Sequence, residues 1–351
     1  MSKLTREDYH MYFFRSDYSL GAHPKVMQAL VDTNMEHTDG YCLDKFSDDC
    51  TEMIRQWVGK PNADVHYFVG GTPCNTTTIS AGLRPYEGVI TPATGHIYVH
   101  ETGSVELNGH RQFAMPTPEG KLRPSDIETA LLHHEDEHCV IPKMVYITHP
   151  TENGGVYTKA ELEALSECCR KHNLTFYMDG ARLGTALTWP TNDITIKEIA
   201  DLVDAFYIGG TKIGALFGEA LVVVNPEKFD DHFRYMIKRQ CALLAKGRLI
   251  PVQLKALFEG GEDSLYFELS RHENELAIKL AEGIVEKGYE LWLPHQTNQV
   301  FVIVPNDKIT ELEENFFFYT WAPYDETRSV IRLVTNWNSK EEEIDAILAA
   351  L

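Results

Sequence analysis

Two apolar runs in this chain stop so abruptly that they constrain the kind of sheet it can build. Phe176-Tyr177-Met178 gives way to Asp179-Gly180-Ala181-Arg182, and Tyr207-Ile208 gives way to Gly209-Gly210-Thr211-Lys212. Aromatic and β-branched residues without polar alternation suit strands covered on both faces, as in parallel sheets flanked by helices. The small and charged residues that follow mark the carboxyl edge of such a sheet, where these folds bind ligands. Comparable runs occur at residues 65–69, 88–91, 144–148 and 220–224, with helical periodicity at 23–37, 50–58 and 160–172. This alternation predicts right-handed βαβ units and an α/β fold with a mostly parallel sheet.

The texture changes after Lys212. Residues 229–257 read as a helix broken near Gly247 and Pro251, and residues 268–287 as a strongly patterned helix. Strand patterns at 299–304 and 330–334 and a closing helix at 340–351 complete a smaller α+β domain. The expected division is an N-terminal arm and large domain over residues 1–255 and a small C-terminal domain over 256–351. A chain of 351 residues accommodates about two domains.

Composition removes several classes of function. A net charge of −20 argues against a nucleic-acid partner, since phosphate backbones need a basic face. No apolar run approaches the roughly 18 residues of a membrane span. Met1–Asp8 lacks the apolar core of a signal peptide. The seven cysteines are scattered without a CxxC pair, which points to free thiols in a reducing cytoplasm and to no metal site.

A carboxylate at one strand end and a lysine at another are what pyridoxal phosphate requires. The lysine forms a Schiff base with the aldehyde, and the carboxylate keeps the pyridine nitrogen protonated. Taken singly, Asp179 could cap a helix and Lys212 could be a surface residue; together, with Gly209-Gly210 clearing space beside the amine, they point to the cofactor. Gly70-Gly71-Thr72 lies where a strand turns into a helix, whose free N–H groups attract phosphate. His96 could stack on a flat ring, and Arg182 and Arg332 could clamp a substrate carboxylate.

In this order the motifs resemble the threonine aldolase branch of the fold-type I pyridoxal-phosphate enzymes, within the β-eliminating lyase group. The resemblance runs from Arg15-Ser16-Asp17 through Gly95-His96-Ile97, Gly154-Gly155, Asp179-Gly180-Ala181-Arg182 and Lys212 to Arg332-Leu333-Val334-Thr335. It implies a transferase-like large domain and the following roles. Lys212 would hold pyridoxal 5'-phosphate, Asp179 its ring nitrogen, and Gly71 and Thr72 its phosphate. His96 would stack on the ring, and Ser16, Arg182 and Arg332 would bind the substrate carboxylate. A neighbouring subunit of a homodimer or homotetramer would add Tyr41 and a basic residue, Lys246 or Arg248.

The chain departs from that pattern twice. Gly70 stands where relatives carry serine in the phosphate turn. In Thr148-His149-Pro150-Thr151-Glu152-Asn153, Pro150 occupies the place of a histidine that lies near the substrate hydroxyl, and His149 precedes it. A one-residue slip reverses a side chain in extended backbone, so His149 as a base stays open beside His96 or a held water. The expected reaction is cleavage of the Cα–Cβ bond of β-hydroxy-α-amino acids, L-threonine or L-allo-threonine giving glycine and acetaldehyde. β-Elimination, transamination and racemisation start from the same cofactor and are the alternatives.

Overall fold

The computed structural model describes residues 12–351 except 118, 133 and 135, so Met1–Asp8 lies outside the described residues. Seven strands form the central sheet: β1 (Asp64–Phe68), β2 (Glu87–Pro92), β3 (Arg111–Met115), β4 (Ile141–Thr148), β5 (Thr175–Asp179), β6 (Ala205–Gly209) and β7 (Glu219–Val223). Their spatial order is β1-β7-β6-β5-β4-β2-β3. Strands β3, β2, β4, β5 and β6 pair in parallel, while β7 is antiparallel to both β6 and β1. The sheet is therefore mostly parallel, as the apolar runs predict.

Alternation along each strand feeds two separate cores. Phe176 and Met178 of β5 pack on one face with Phe206 and Ile208 of β6. Tyr177, Ala205 and Tyr207 pack on the other. Helices Lys45–Val58, Lys159–Lys171 and Leu249–Phe258 cover the first face, and helix Gly71–Gly82 covers the second. Burial on both sides is why these strands carry almost no polar residue until their ends.

A second, antiparallel sheet comprises β8 (Glu290–Leu291), β9 (Gln299–Pro305), β10 (Tyr319–Pro323) and β11 (Arg328–Val334), in the order β10-β11-β9-β8. The helix Leu265–Glu286 joins the two parts. Leu265 and Leu269 belong to the large-sheet core, whereas Leu276, Leu280 and Ile284 belong to the core of the small sheet. Residue 255, the expected boundary, lies inside the helix Leu249–Phe258. The expected broken helix over 229–257 is two helices, Phe233–Arg239 and Leu249–Phe258. Pro251 sits in the first turn of the second, where its missing N–H costs no helical bond.

The arm reaches the small sheet before entering the large one. Tyr12–Phe13 pairs in parallel with Phe316–Phe317, and the Val334 N–H donates to the Phe14 carbonyl at 2.8 Å. Residues Arg15 to Tyr18 are thereby laid across the junction of the two sheets. No helix among the described residues is long and apolar enough to cross a membrane.

Candidate active site

Asp179 ends β5 opposite Thr148 of β4, and it is buried. Its Oδ2 accepts from the Tyr146 hydroxyl at 2.7 Å and from Asn75 Nδ2 at 2.9 Å, and its Oδ1 accepts from the Ala181 N–H at 3.0 Å. Asn75 is itself fixed: its Oδ1 accepts from the Tyr177 hydroxyl at 2.8 Å, and its Nδ2 also donates to Glu101 at 2.8 Å. Glu101 in turn meets His96 Nδ1 at 2.8 Å. An acceptor there keeps a proton on Nδ1 and sets the plane of the ring. Burial lowers the proton affinity of His96, but Glu101 and the charge of Asp179 outweigh it, and the net shift is upward.

Lys212 lies in the turn after β6, and Glu219 opens β7 opposite Gly209. Glu219 accepts from the Gly210 N–H at 2.9 Å and the Thr211 hydroxyl at 2.7 Å. Burial pushes its carboxyl up to about 7. Burial, helped by the charge of Arg182, pulls the Lys212 ammonium down, which favours the nucleophilic free amine. A cavity of about 240 Å³ joins Lys212, Asp179, Glu219, Gly71, Thr72 and His96. Gly70 is the N-cap of the helix Gly71–Gly82 and offers no capping side chain to its first-turn N–H groups. A Cβ at Gly71 would come within 2.7 Å of the Tyr207 hydroxyl.

A wider cavity of about 680 Å³ shares Lys212, His96, Glu152 and Arg182 and extends to Arg332 and Trp321. The Arg332 guanidinium lies 5.2 Å from the Tyr319 ring centre and 4.9 Å from that of Trp321. Its Nη1 donates to Gln299 and its Nη2 to the Arg15 carbonyl, each at 3.3 Å. Burial, with Arg182 nearby, lowers it to about 10.

The other expected residues are placed as follows. Arg182 faces both cavities, but it is not free for a bidentate grip, because Nε and Nη2 bind Asp17 at 2.5 and 3.1 Å. Ser16 is buried and lines neither cavity, whereas Tyr18, two residues on, lines both. His149 is wholly buried on the side of Tyr157, whose N–H donates to its Nδ1 at 3.4 Å. Burial takes it down to about 3, and it lines neither cavity. Tyr41 and Arg248 also lie outside both cavities; Tyr41 sits beside Lys238, and Arg248 donates to the Asn34 carbonyl at 3.3 Å.

No sequence motif marks Asn75, Glu101, Tyr146, Glu152 or Glu219 as site residues. Two of them carry a local signal: Glu219 opens an apolar strand, and Glu101 follows a short helical turn that begins at His96. Away from the cavities, Glu128, Cys168 and His172 bring potential ligand atoms within 4.8 Å of one another, although Lys171 already pairs with Glu128 at 2.9 Å.

The donor set fits pyridoxal phosphate. A buried carboxylate for the ring nitrogen, an amine of lowered basicity and an uncapped helix start with glycine beside it share one cavity of suitable size. Relatives agree with this chemistry. The chain is 42% identical to a solved threonine aldolase from Leishmania major, with a TM-score of 0.94 over 96% of this chain and 98% of that one. It is 28% identical to the low specificity L-threonine aldolase of Pseudomonas aeruginosa over 95% of each. Thermus thermophilus aspartate aminotransferase shares the fold, with a TM-score of 0.71 at 14% identity, 97% of this chain and 91% of that one being covered. The family of beta-eliminating lyases matches residues 14–307, and the chain belongs to it.

Proposed function

We infer that this protein is a pyridoxal-phosphate-dependent carbon–carbon lyase that cleaves β-hydroxy-α-amino acids, converting threonine and allo-threonine to glycine and acetaldehyde. The observation that carries the reading is the single cavity in which Lys212, Asp179 and the Gly71–Thr72 helix start converge. The two threonine aldolases, matched over nearly their whole length, give it its substrate class.

Pyridoxal phosphate supplies the electron sink for the pair left on Cα when the Cα–Cβ bond breaks. The chain's own residues do the rest. Lys212 would hold the cofactor, and Asp179, fixed by Tyr146 and Asn75, would face its ring nitrogen. The first-turn N–H groups of Gly71 and Thr72 would take the phosphate. His96, its plane set by Glu101, would lie against the ring. Arg332, steadied over Tyr319 and Trp321, would take the substrate carboxylate, with Arg182 contributing Nη1. Tyr41 and Arg248, which line neither cavity of their own chain, are assigned to a partner's site in a homo-oligomer. The scattered free thiols support a cytoplasmic location.

Incubation with L-threonine, L-allo-threonine and phenylserine tests the reading. Glycine and aldehyde should appear in equal amounts, and Lys212→Ala should abolish both the visible absorbance and turnover. Release of ammonia and a 2-oxo acid instead would assign the protein to elimination.

A further inference from the structure

With His149 turned into the core and His96 tied to Glu101 with its ring assigned to the cofactor face, the proton of the substrate hydroxyl needs another acceptor. Among the residues lining the inner cavity the carboxylates are Asp179, Glu219 and Glu152; Glu152 alone also lines the outer one, with Arg332 and Trp321. A substrate whose amine is at Lys212 and whose carboxylate is at Arg332 must cross the boundary that Glu152 forms.

The carboxylate is held rigidly there. Oε1 accepts from the His96 main-chain N–H at 2.8 Å and Oε2 from the Thr148 hydroxyl at 2.6 Å. A carboxylate has about four lone-pair sites, so each oxygen retains one for a ligand. We propose that Glu152 is the catalytic base that accepts the proton of the substrate β-hydroxyl. The O–H bond breaks with its proton passing to Oε; its electron pair forms the aldehyde C=O as the Cα–Cβ bond breaks. Glu152 then releases the proton to water, and Cα takes one from water, so no proton is gained or lost overall.

The electrostatics agree with this placement. Burial raises the Glu152 carboxyl and Asp179 adds to the effect, while Thr148 and His96 oppose it. Lys212 and Arg182 share the cavity with it. A raised proton affinity lets this carboxylate take a proton more readily than an ordinary one.

The inference rests on the aldol reading, which wild-type cleavage of phenylserine establishes or removes first. The test compares holoenzyme with Glu152→Gln in two reactions at the same site: cleavage of phenylserine, and exchange of the glycine α-proton in heavy water, which involves no hydroxyl. Cleavage should fall about a hundredfold or more, as loss of a general base does, with exchange within about threefold of wild type. The acidic limb of the cleavage profile should vanish in the variant, and an infrared carboxyl band titrating with that limb should vanish with it. Glu152→Asp should regain part of the cleavage rate. Cleavage and exchange falling together would reduce Glu152 to a prop for His96, and cleavage retained in Glu152→Gln would remove it from the reaction; either overturns the proposal.

Discussion

At Asp17 and Arg182 a buried carboxylate meets a half-buried guanidinium, and the pair fixes the arm against the sheet edge. Burial alone would raise the Asp17 carboxyl, but Arg182 and Lys212 and the hydrogen bonds from Arg182 and Asn298 overcome it, and the net shift is downward. Its folded affinity for the proton is therefore below the unfolded one, and its contribution to stability is present above the ordinary value near 3.8 and is lost as pH falls through the folded value. Arg182→Gln would leave Asp17 buried without its cation, and removing one member of such a pair costs about 3–5 kcal/mol. Denaturant titration at neutral pH should show that loss, shrinking on acidification as Asp17 becomes neutral; an unchanged midpoint would mean that the pair holds nothing. His149 makes the opposite case. Since it faces Tyr157 rather than the cavity, His149→Asn should lower the melting temperature while leaving kcat within about threefold and the pH profile unmoved, unlike loss of a general base. Asp179 and Lys212 were legible in the sequence because each breaks an apolar run at a strand end. The partners that orient Asp179 were not: Asn75 is 104 residues away and Tyr146 is 33 away, and only the pairing of β4 with β5 and the packing of a helix on that face bring them together.

Elements were legible in proportion to their burial. Strands β4 to β7 are buried along nearly their whole length, so their residues read as apolar runs. Edge strands leave a weaker trace: β3 carries Arg111 and Gln112 in a mixed pattern, and β10 is half exposed along its length. In the loop after β4 a one-residue offset decides which side chain faces the cavity, and here Pro150 lines it while His149 does not. The helix start at Gly71 has a simpler constraint. A methyl group there meets the Tyr207 hydroxyl, and Tyr207 is fixed within β6, so the helix start must yield. Gly71→Ala should weaken retention of pyridoxal phosphate about tenfold, the equivalent of about 1.4 kcal/mol in lost amide contacts. Dialysis followed by absorbance in the visible range measures it, and retention equal to wild type would place the phosphate elsewhere.

At the scale of the whole molecule, Tyr41 lies on the surface of its own chain, while Arg248, the other residue assigned to a partner's site by resemblance, is half-buried and lines neither active-site cavity. Tyr41, Leu43 and Tyr235 expose 40%, 61% and 74% of their area around one shallow cavity with Arg234 and Lys238. Apolar groups clustered with cations on an open face suit contact with another molecule. If that molecule is a second copy, each site takes Lys212 from one chain and Arg248 from the other, and a two-fold contact supplies both sites at once. Lys212→Ala and Arg248→Ala should then each depress activity when alone. After subunit exchange in a mixture, half of the dimers are hybrids, and one site in each has both native residues, so activity should return to about a quarter of wild type. Recovery depends on exchange and not on total concentration, which separates it from simple addition of two weak activities. A mixture no more active than its components, from chains that sediment as monomers, would show instead that a single chain completes the site.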